Sequence, residues 1–320
     1  MGRMSKGRSV GALLGAVSGV VGIAGGILVR RYRHDMRAAR DRLASVDRKV
    51  ITTPLGHVEY AERGSGEPLL ISHGIFQSCE SALLFRDLFP DRRVIAPSRF
   101  GYLASGMPTD ATPADQADVF MRLLDALGIA EVDVVGLSAG ATSALELALR
   151  HPERVRCLVV LSGNLPGSST AVVQPSWARM LNRQLPMWVL KVFAPSTMAF
   201  LAGVPKRLPM TSDEAHFVTE FIDSLFPVSP RVVGVAFDAF VSNADVNGYK
   251  LEAITVPTLL VHARDDPLVT YDAAEQAARR IPGARLLSLE SGGHLMLGQT
   301  YTVRNELASF FAQAVALTRP

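Results

Sequence analysis

A serine with a glycine two positions away on each side, Gly136-Leu137-Ser138-Ala139-Gly140, constrains this chain more than any other stretch. The run before it, Val132-Asp133-Val134-Val135, is mostly β-branched, and the run after it, ATSALELALRHP, has helical character. A residue held between a strand and a helix without a linker must occupy a sharp turn. Glycines on either side let the neighbouring backbone pass without collision. Such a turn projects the serine Oγ beyond the sheet, beside the free N–H groups that open a helix. Ser138 is read as a nucleophile. The plain alternative is a serine that caps a helix.

The remainder of the chain supplies the sheet that this turn requires. Strand-like runs fall at 57–63, 68–72, 93–97, 132–136, 156–162, 255–262 and 284–289, with helical stretches at 79–89, 113–127, 139–151, 271–280 and 299–315. Several runs are apolar at successive positions, as expected of parallel strands covered on both faces. The alternation predicts an α/β fold with a doubly wound or mainly parallel sheet flanked by helices. Between Gly163 and Asn247 the rhythm stops, and the text becomes rich in methionine and aromatic residues. That interval is read as a helical cap inserted between late strands, above the carboxyl ends where α/β sheets place their sites.

Two further segments carry chemistry. TVPTLLVHA runs into Arg264-Asp265-Asp266-Pro267, which places carboxylates just past a strand, and SLESGGHLMLG places His294 in a glycine-rich loop after the last strand. Each has an ordinary alternative: a loop aspartate can cap a turn, and a histidine can pack or face solvent. The chain order Ser138, acid, His294 is that of hydrolases on an α/β sheet and differs from the chymotrypsin and subtilisin orders.

With these residues in place, the chain resembles the α/β-hydrolase superfamily, in its lid-bearing serine hydrolase branch, over residues 50–317. The resemblance rests on ISHGIF at 71–76, PSRFGYLASGMP at 97–108, VVGLSAG at 134–140, RHPERVRCLVVLSG at 150–163, VPTLLVHARDDPLVT at 256–270 and SGGHLMLG at 291–298. It implies a triad of Ser138, Asp266 and His294. The family acid stands three positions after a glycine; Ala263 replaces that glycine here, which favours Asp266 over its neighbour Asp265. It also implies an oxyanion loop at His73-Gly74, with a backbone N–H from Ile75 or Phe76, of which Phe76 is favoured, and a second from Ala139. His73 itself is expected to brace that loop.

The resemblance implies acyl transfer through an acyl-enzyme, with an apolar carboxylic ester as the small-molecule partner and neither cofactor nor metal. A carbon–carbon bond hydrolase or a cofactor-free haloperoxidase-like enzyme would use the same triad, and a catalytically silent binding module is a third reading. Related aspartate-nucleophile chemistries, dehalogenation and epoxide opening, do not fit a serine at 138. In the cap, Trp177, Met180, Leu185, Met187, Trp188, Val189, Leu190, Phe193, Met198 and Phe200 either line an apolar pocket or pack the cap onto itself. Of the two cysteines, Cys79 follows the oxyanion loop without a paired histidine and Cys157 lies in a strand. Neither reads as a nucleophile. The seven histidines show no metal-ligand spacing.

Ahead of the body lies a leader of different composition. Residues 1–50 hold 11 Lys/Arg against 3 Asp/Glu, whereas the remaining residues hold 22 against 27. The basic balance therefore belongs to the leader and gives the body no nucleic-acid-binding character. Residues 9–29 carry no charge, and 21 helical residues span about 31 Å, the thickness of a bilayer core. The expected organisation is an anchor at 1–30, a charged juxtamembrane linker at 31–49, a core at 50–163 and 248–320, and a cap at 164–247. The heavier basic flank follows the span, which favours a membrane-anchored protein with a cytoplasmic body. A cleaved signal and a secreted or soluble protein are the alternatives.

Overall fold

The computed structural model describes residues 6–168 and 182–318, with the backbone alone for 6–24 and 317–318. The chain divides into two units, Met1–Ser45 and Val46–Pro320. The first contains one helix, α1 (Lys6–Ser45), of 40 residues. It carries both the apolar run and most of the charged segment that follows. The stretch 9–29 expected to cross a bilayer lies largely outside the residues whose side chains are described. Among the described residues no single helix is long and apolar enough to cross a membrane.

The second unit begins earlier than the sequence indicates. Strand β1 (Arg48–Thr53) takes the last residues assigned to the linker and pairs antiparallel with β2 (Gly56–Arg63). It had no apolar run to announce it because it is an edge strand, largely exposed along its length. Lys49 reaches Glu62 across the pair at 2.6 Å, and a charged edge of this kind resists pairing with another chain.

The other strands fall where the periodicity predicts: β3 (Glu67–Ser72), β4 (Arg92–Pro97), β5 (Val132–Leu137), β6 (Val155–Leu161), β7 (Thr258–Ala263) and β8 (Arg285–Leu289). Their order is β1-β2-β4-β3-β5-β6-β7-β8, parallel from β4 onward. All residues of β5 and β7 are buried, which explains their unbroken apolar character. The one carboxylate in β5, Asp133, is buried among charges that answer it: Arg92 at 2.5 Å and Arg156 at 3.1 Å. Helices α2 (Cys79–Ala82), α3 (Pro113–Ala126), α4 (Ala141–Arg150), α9 (Tyr271–Arg280) and α10 (Thr300–Thr318) connect or follow the strands. A capping box between Thr112 and Asp115, with Pro113 at the first helical position, fixes the start of α3.

Strand β3 has β4 on one side and β5 on the other, so the strand order turns at this point and opens a crevice at the carboxyl ends. The segment after β3 carries His73 and the turn after β5 carries Ser138. Ser72 is in register with Gly136, so both segments emerge at one level of the sheet.

Between β6 and β7 the described residues are helical, as expected of the cap. They form α5 (Gln184–Phe193), α6 (Pro195–Leu201), α7 (Ser212–Ser224) and α8 (Val232–Phe237), and α8 continues into a π-helical turn at Asp238–Ser242. The apolar residues named for the cap divide by role. Met187, Trp188 and Met198 are buried, while Leu185, Val189 and Phe193 form an exposed stripe on α5. Trp177 and Met180 lie outside the described residues. A cavity of about 970 Å³ inside the cap is lined by Leu190, Phe200, Val204, Leu208, Met210 and Ile222 among others, and touches neither Ser138 nor His294.

Candidate active site

Ser138 adopts φ 50°, the left-handed region that residues with a Cβ seldom occupy. A conformation of that kind costs about 1–3 kcal/mol and persists only where its surroundings impose it. Here the surroundings are tight backbone contacts. A Cβ placed on Gly140 would lie 2.1 Å from the Ser72 carbonyl oxygen, and one on Gly136 would lie 2.6 Å from Ala141 Cα. Both flanking positions must therefore be glycine for the strand to enter α4 so abruptly. Gly74 is packed as closely, since a Cβ there would stand 3.0 Å from Ser138 Cβ. The loop after β3 thus lies directly against the serine.

His294 and its acid come from the other half of the sheet. Past β7 the chain turns so that Asp266 Oδ1 accepts the Leu268 N–H at 2.8 Å and the Val269 N–H at 3.1 Å, leaving Oδ2 for His294 Nδ1 at 2.7 Å. His262 Nε2 stands 3.3 Å from the same Oδ2. Burial alone would raise the Asp266 pKa, but His294, His262 and the Leu268 N–H together hold it well below the usual carboxylate range. An ionised Asp266 keeps the proton on His294 Nδ1 and leaves Nε2 as the basic nitrogen. No hydrogen bond joins Ser138 Oγ to the His294 ring among the described residues.

Asp265, the runner-up acid, serves the same loop differently. Its carboxylate accepts the Gly293 N–H at 2.8 Å and the Gly292 N–H at 3.3 Å, and so ties down the backbone that presents His294. The cap holds the other side. His294 N–H donates to the Gly203 carbonyl at 2.9 Å, and a Cβ on Gly203 would fall 2.2 Å from His294 Cβ. Gly203 carried no signal in the sequence because its partner is 91 residues away in a different element.

His73 braces its loop through both ring nitrogens. The Arg99 N–H donates to Nε2 at 2.9 Å, and Nδ1 is 2.8 Å from the Gly74 carbonyl. With Nε2 an acceptor, the proton resides on Nδ1. Complete burial, helped by the nearby Arg99 charge, pushes the His73 pKa well below its ordinary 6.5, so the ring is neutral. The linkage has a definite sign. Below about pH 6.5 the unfolded chain binds a proton that the folded chain refuses, so stability is full above that pH and declines below it. This histidine predicts a loss approaching 1.4 kcal/mol per pH unit. Urea unfolding between pH 7 and pH 5 measures it, and a midpoint that does not move would contradict the buried neutral ring.

Gly74 N–H is taken by Gln77 Oε1 at 2.9 Å. Phe76, favoured as a donor from the sequence, has φ 63°, and its backbone lies beside the phenol of Tyr102. The Ile75 amide has no protein acceptor among the described residues. Ala139 stands at the start of the turn into α4, next to Ser138.

Other nucleophiles are suppressed. Burial pushes the Cys79 thiol up to about 12 and the Cys157 thiol well above its usual range, so neither supplies a thiolate at neutral pH.

The remaining contacts around the turn involve residues to which the sequence assigned no role. Arg99 is fully buried and forks onto Asp238, at 2.6 Å for one of the two bonds. Tyr102 Oη donates to Asp238 at 2.5 Å. Burial and the Asp238 charge push the phenol well above its ordinary pKa, so it keeps the proton it donates. Arg99 and Tyr102 lie in the PSRFGYLASG stretch that marked the resemblance; Asp238 had no signal of its own.

Comparison with known proteins follows the same outline. A model of the alpha/beta hydrolase fold family matches residues 67–299. The chain is 30% identical over 263 residues to a 2-hydroxymuconate semialdehyde hydrolase of Pseudomonas putida, covering 80% of this chain and 91% of the relative. Among solved structures, an alpha/beta hydrolase fold protein from Nakamurella multipartita superposes with a TM-score of 0.66 at 25% identity, covering 82% of this chain and 98% of that one. An esterase from Exiguobacterium antarcticum superposes with a TM-score of 0.61 at 21% identity, covering 84% and 99%; at that identity the likeness concerns the fold alone.

Proposed function

Since this chain belongs to the α/β-hydrolase fold family, we propose that it is a serine hydrolase that cleaves an apolar carboxylic ester through an acyl-enzyme. The observation that carries this reading is the 2.7 Å contact between Asp266 and His294, together with a serine held left-handed at the switch point of the sheet. His294 Nε2 removes the Ser138 proton as Oγ adds to the carbonyl carbon, and Asp266 stabilises the imidazolium that forms. The oxyanion is met by the amide of Ala139 and that of Phe76 or its neighbour Ile75, each typically worth about 2.7–4 kcal/mol in the transition state. His294 protonates the departing alcohol, then takes a proton from the water that releases the acid.

A second reading has one specific observation behind it: the 30%-identical relative is a carbon–carbon bond hydrolase. One experiment weighs both. The full-length chain is offered p-nitrophenyl esters of increasing acyl length and, separately, 2-hydroxymuconate semialdehyde, beside a Ser138→Ala control. Ester turnover that disappears in the control is expected. Turnover of the semialdehyde alone would transfer the assignment to carbon–carbon cleavage, and full activity in the control would overturn both.

The leader is proposed as a bilayer anchor through residues 9–29, with the body on the cytoplasmic side. Its support is the uncharged run of bilayer length between basic flanks. Retention in the membrane pellet after carbonate extraction is expected, and recovery in the wash would remove the anchor.

A further inference from the structure

Among the segments by which the cap meets the loops around Ser138 is the π-helical turn Asp238–Ser242 with the residue after it. Three loop systems meet it. Asp238 takes Arg99 and Tyr102 from the segment after β4. Ser242 Oγ lies 2.5 Å from Thr142 Oγ1, in the first turn of α4. Asn243 Oδ1 accepts the Asn164 amide at 3.1 Å, and Asn164 N–H in turn donates to the Ser138 carbonyl at 2.9 Å. π-helical turns inside α-helices are rare and occur frequently at functional sites.

The approach is close enough to be rigid. Gly234 N–H donates to the Gly101 carbonyl at 3.0 Å, and a Cβ on Gly234 would lie 2.1 Å from the Tyr102 ring. Leu103 N–H donates to the Pro230 carbonyl at 2.8 Å. Two routes then lead from Asp238 to the oxyanion loop. One passes through Arg99, whose N–H holds His73 Nε2, and His73 Nδ1 holds the Gly74 carbonyl. The other passes through Tyr102, whose ring stacks edgewise on His73 at 4.7 Å and whose phenol lies beside the Phe76 backbone. Both ends of the turn that contains Ile75 are thus held from the cap.

We propose that Asp238 is a positioning residue for the oxyanion loop: by fixing Arg99 and Tyr102 it orients the Gly74–Phe76 backbone toward the carbonyl oxygen of the substrate. The proposal builds on the serine-hydrolase reading for its kinetic consequence, whereas its structural consequence stands without it. A buried carboxylate bound by a guanidinium and a phenol is a stiff support, because each partner would be left unpaired if it moved. Asp238 lies 139 residues from Arg99 in the chain, and the support exists only while the cap is seated.

The test compares the full-length protein with Asp238→Asn, Tyr102→Phe and the charge-free double variant Arg99→Met/Asp238→Leu. Hydrogen exchange of the peptide covering residues 73–79 and ester kinetics are measured together. Asp238→Asn and Tyr102→Phe should each speed exchange in that peptide. They should lower kcat by about 10–100-fold, less than the 10²–10³ typical of deleting an oxyanion donor, with KM changed less than about threefold. The double variant removes the unpaired charge, so its melting temperature should recover relative to Asp238→Asn while kcat stays low. Unchanged exchange at 73–79 in both single variants, or a kcat that recovers with stability in the double variant, would overturn the proposal. Failure of the serine-hydrolase reading would appear elsewhere, as a Ser138→Ala protein with full turnover, and the exchange result would still decide the role of Asp238.

Discussion

On the proposed serine-hydrolase reading, Ser138→Ala is expected to reduce kcat on an ester substrate by on the order of 10⁴–10⁶, with the fold intact. Removing Oγ would remove the nucleophile of the acyl-enzyme, and the oxyanion amides that remain would retain a small part of the acceleration. The same position makes a second measurement informative. With φ at 50°, Ser138 sits where a side chain is strained and glycine is not. Ser138→Gly should therefore be as inactive as the alanine variant yet more stable than the parent, by about 1 kcal/mol, because it relieves the left-handed conformation. Thermal unfolding of parent, alanine and glycine variants side by side measures this. A glycine variant less stable than the alanine variant would mean that the turn is not under the strain its dihedral implies.

Asp266→Asn should lower kcat by about 10⁴-fold, and Asp265→Asn by no more than about tenfold. The two carboxylates are adjacent in the chain but do different work. Asp266 bonds His294 Nδ1, and in the proposed mechanism it would stabilise the imidazolium and fix its tautomer. An amide in its place carries no charge and can present N–H to Nδ1, which would move the ring proton to Nε2 and abolish the base. Asp265 holds the backbone amides of Gly292 and Gly293 on its two oxygens, and an asparagine oxygen can still accept the shorter bond, from Gly293, while the longer one to Gly292 is lost. The stability records should differ as well. Because its folded pKa is depressed, Asp266 contributes stability that is present above its ordinary 3.8 and is lost as pH falls through the lower folded value. Asp266→Asn should flatten the acid limb of the unfolding curve below about pH 4. Equal kinetic losses in the two variants would mean that the acid had been assigned to the wrong carboxylate.

Much of this arrangement was legible before any coordinates. Strands β3 to β7 were visible because buried parallel strands must be apolar at successive positions, and β5 and β7 are buried throughout. Strand β1 was not, since an exposed edge strand such as Arg48–Thr53 needs no such run. Ser138 announced itself through Gly136 and Gly140, whose missing side chains are a local requirement of the turn. His294 was legible from its glycines and its place after the last strand.

Tertiary structure decided the matters that depend on direction and on distant partners. Sequence named two candidate acids, and only the path of the chain after β7 showed that Asp266 faces His294 while Asp265 faces the loop backbone. It offered nothing on Asp238 or Gly203, because their partners belong to elements that meet only when the cap is seated on the sheet. Periodicity and turn chemistry act over a few residues and are written where they act. The orientation of a carboxylate or an amide is set by whatever packs against it, and that neighbour can stand anywhere in the chain.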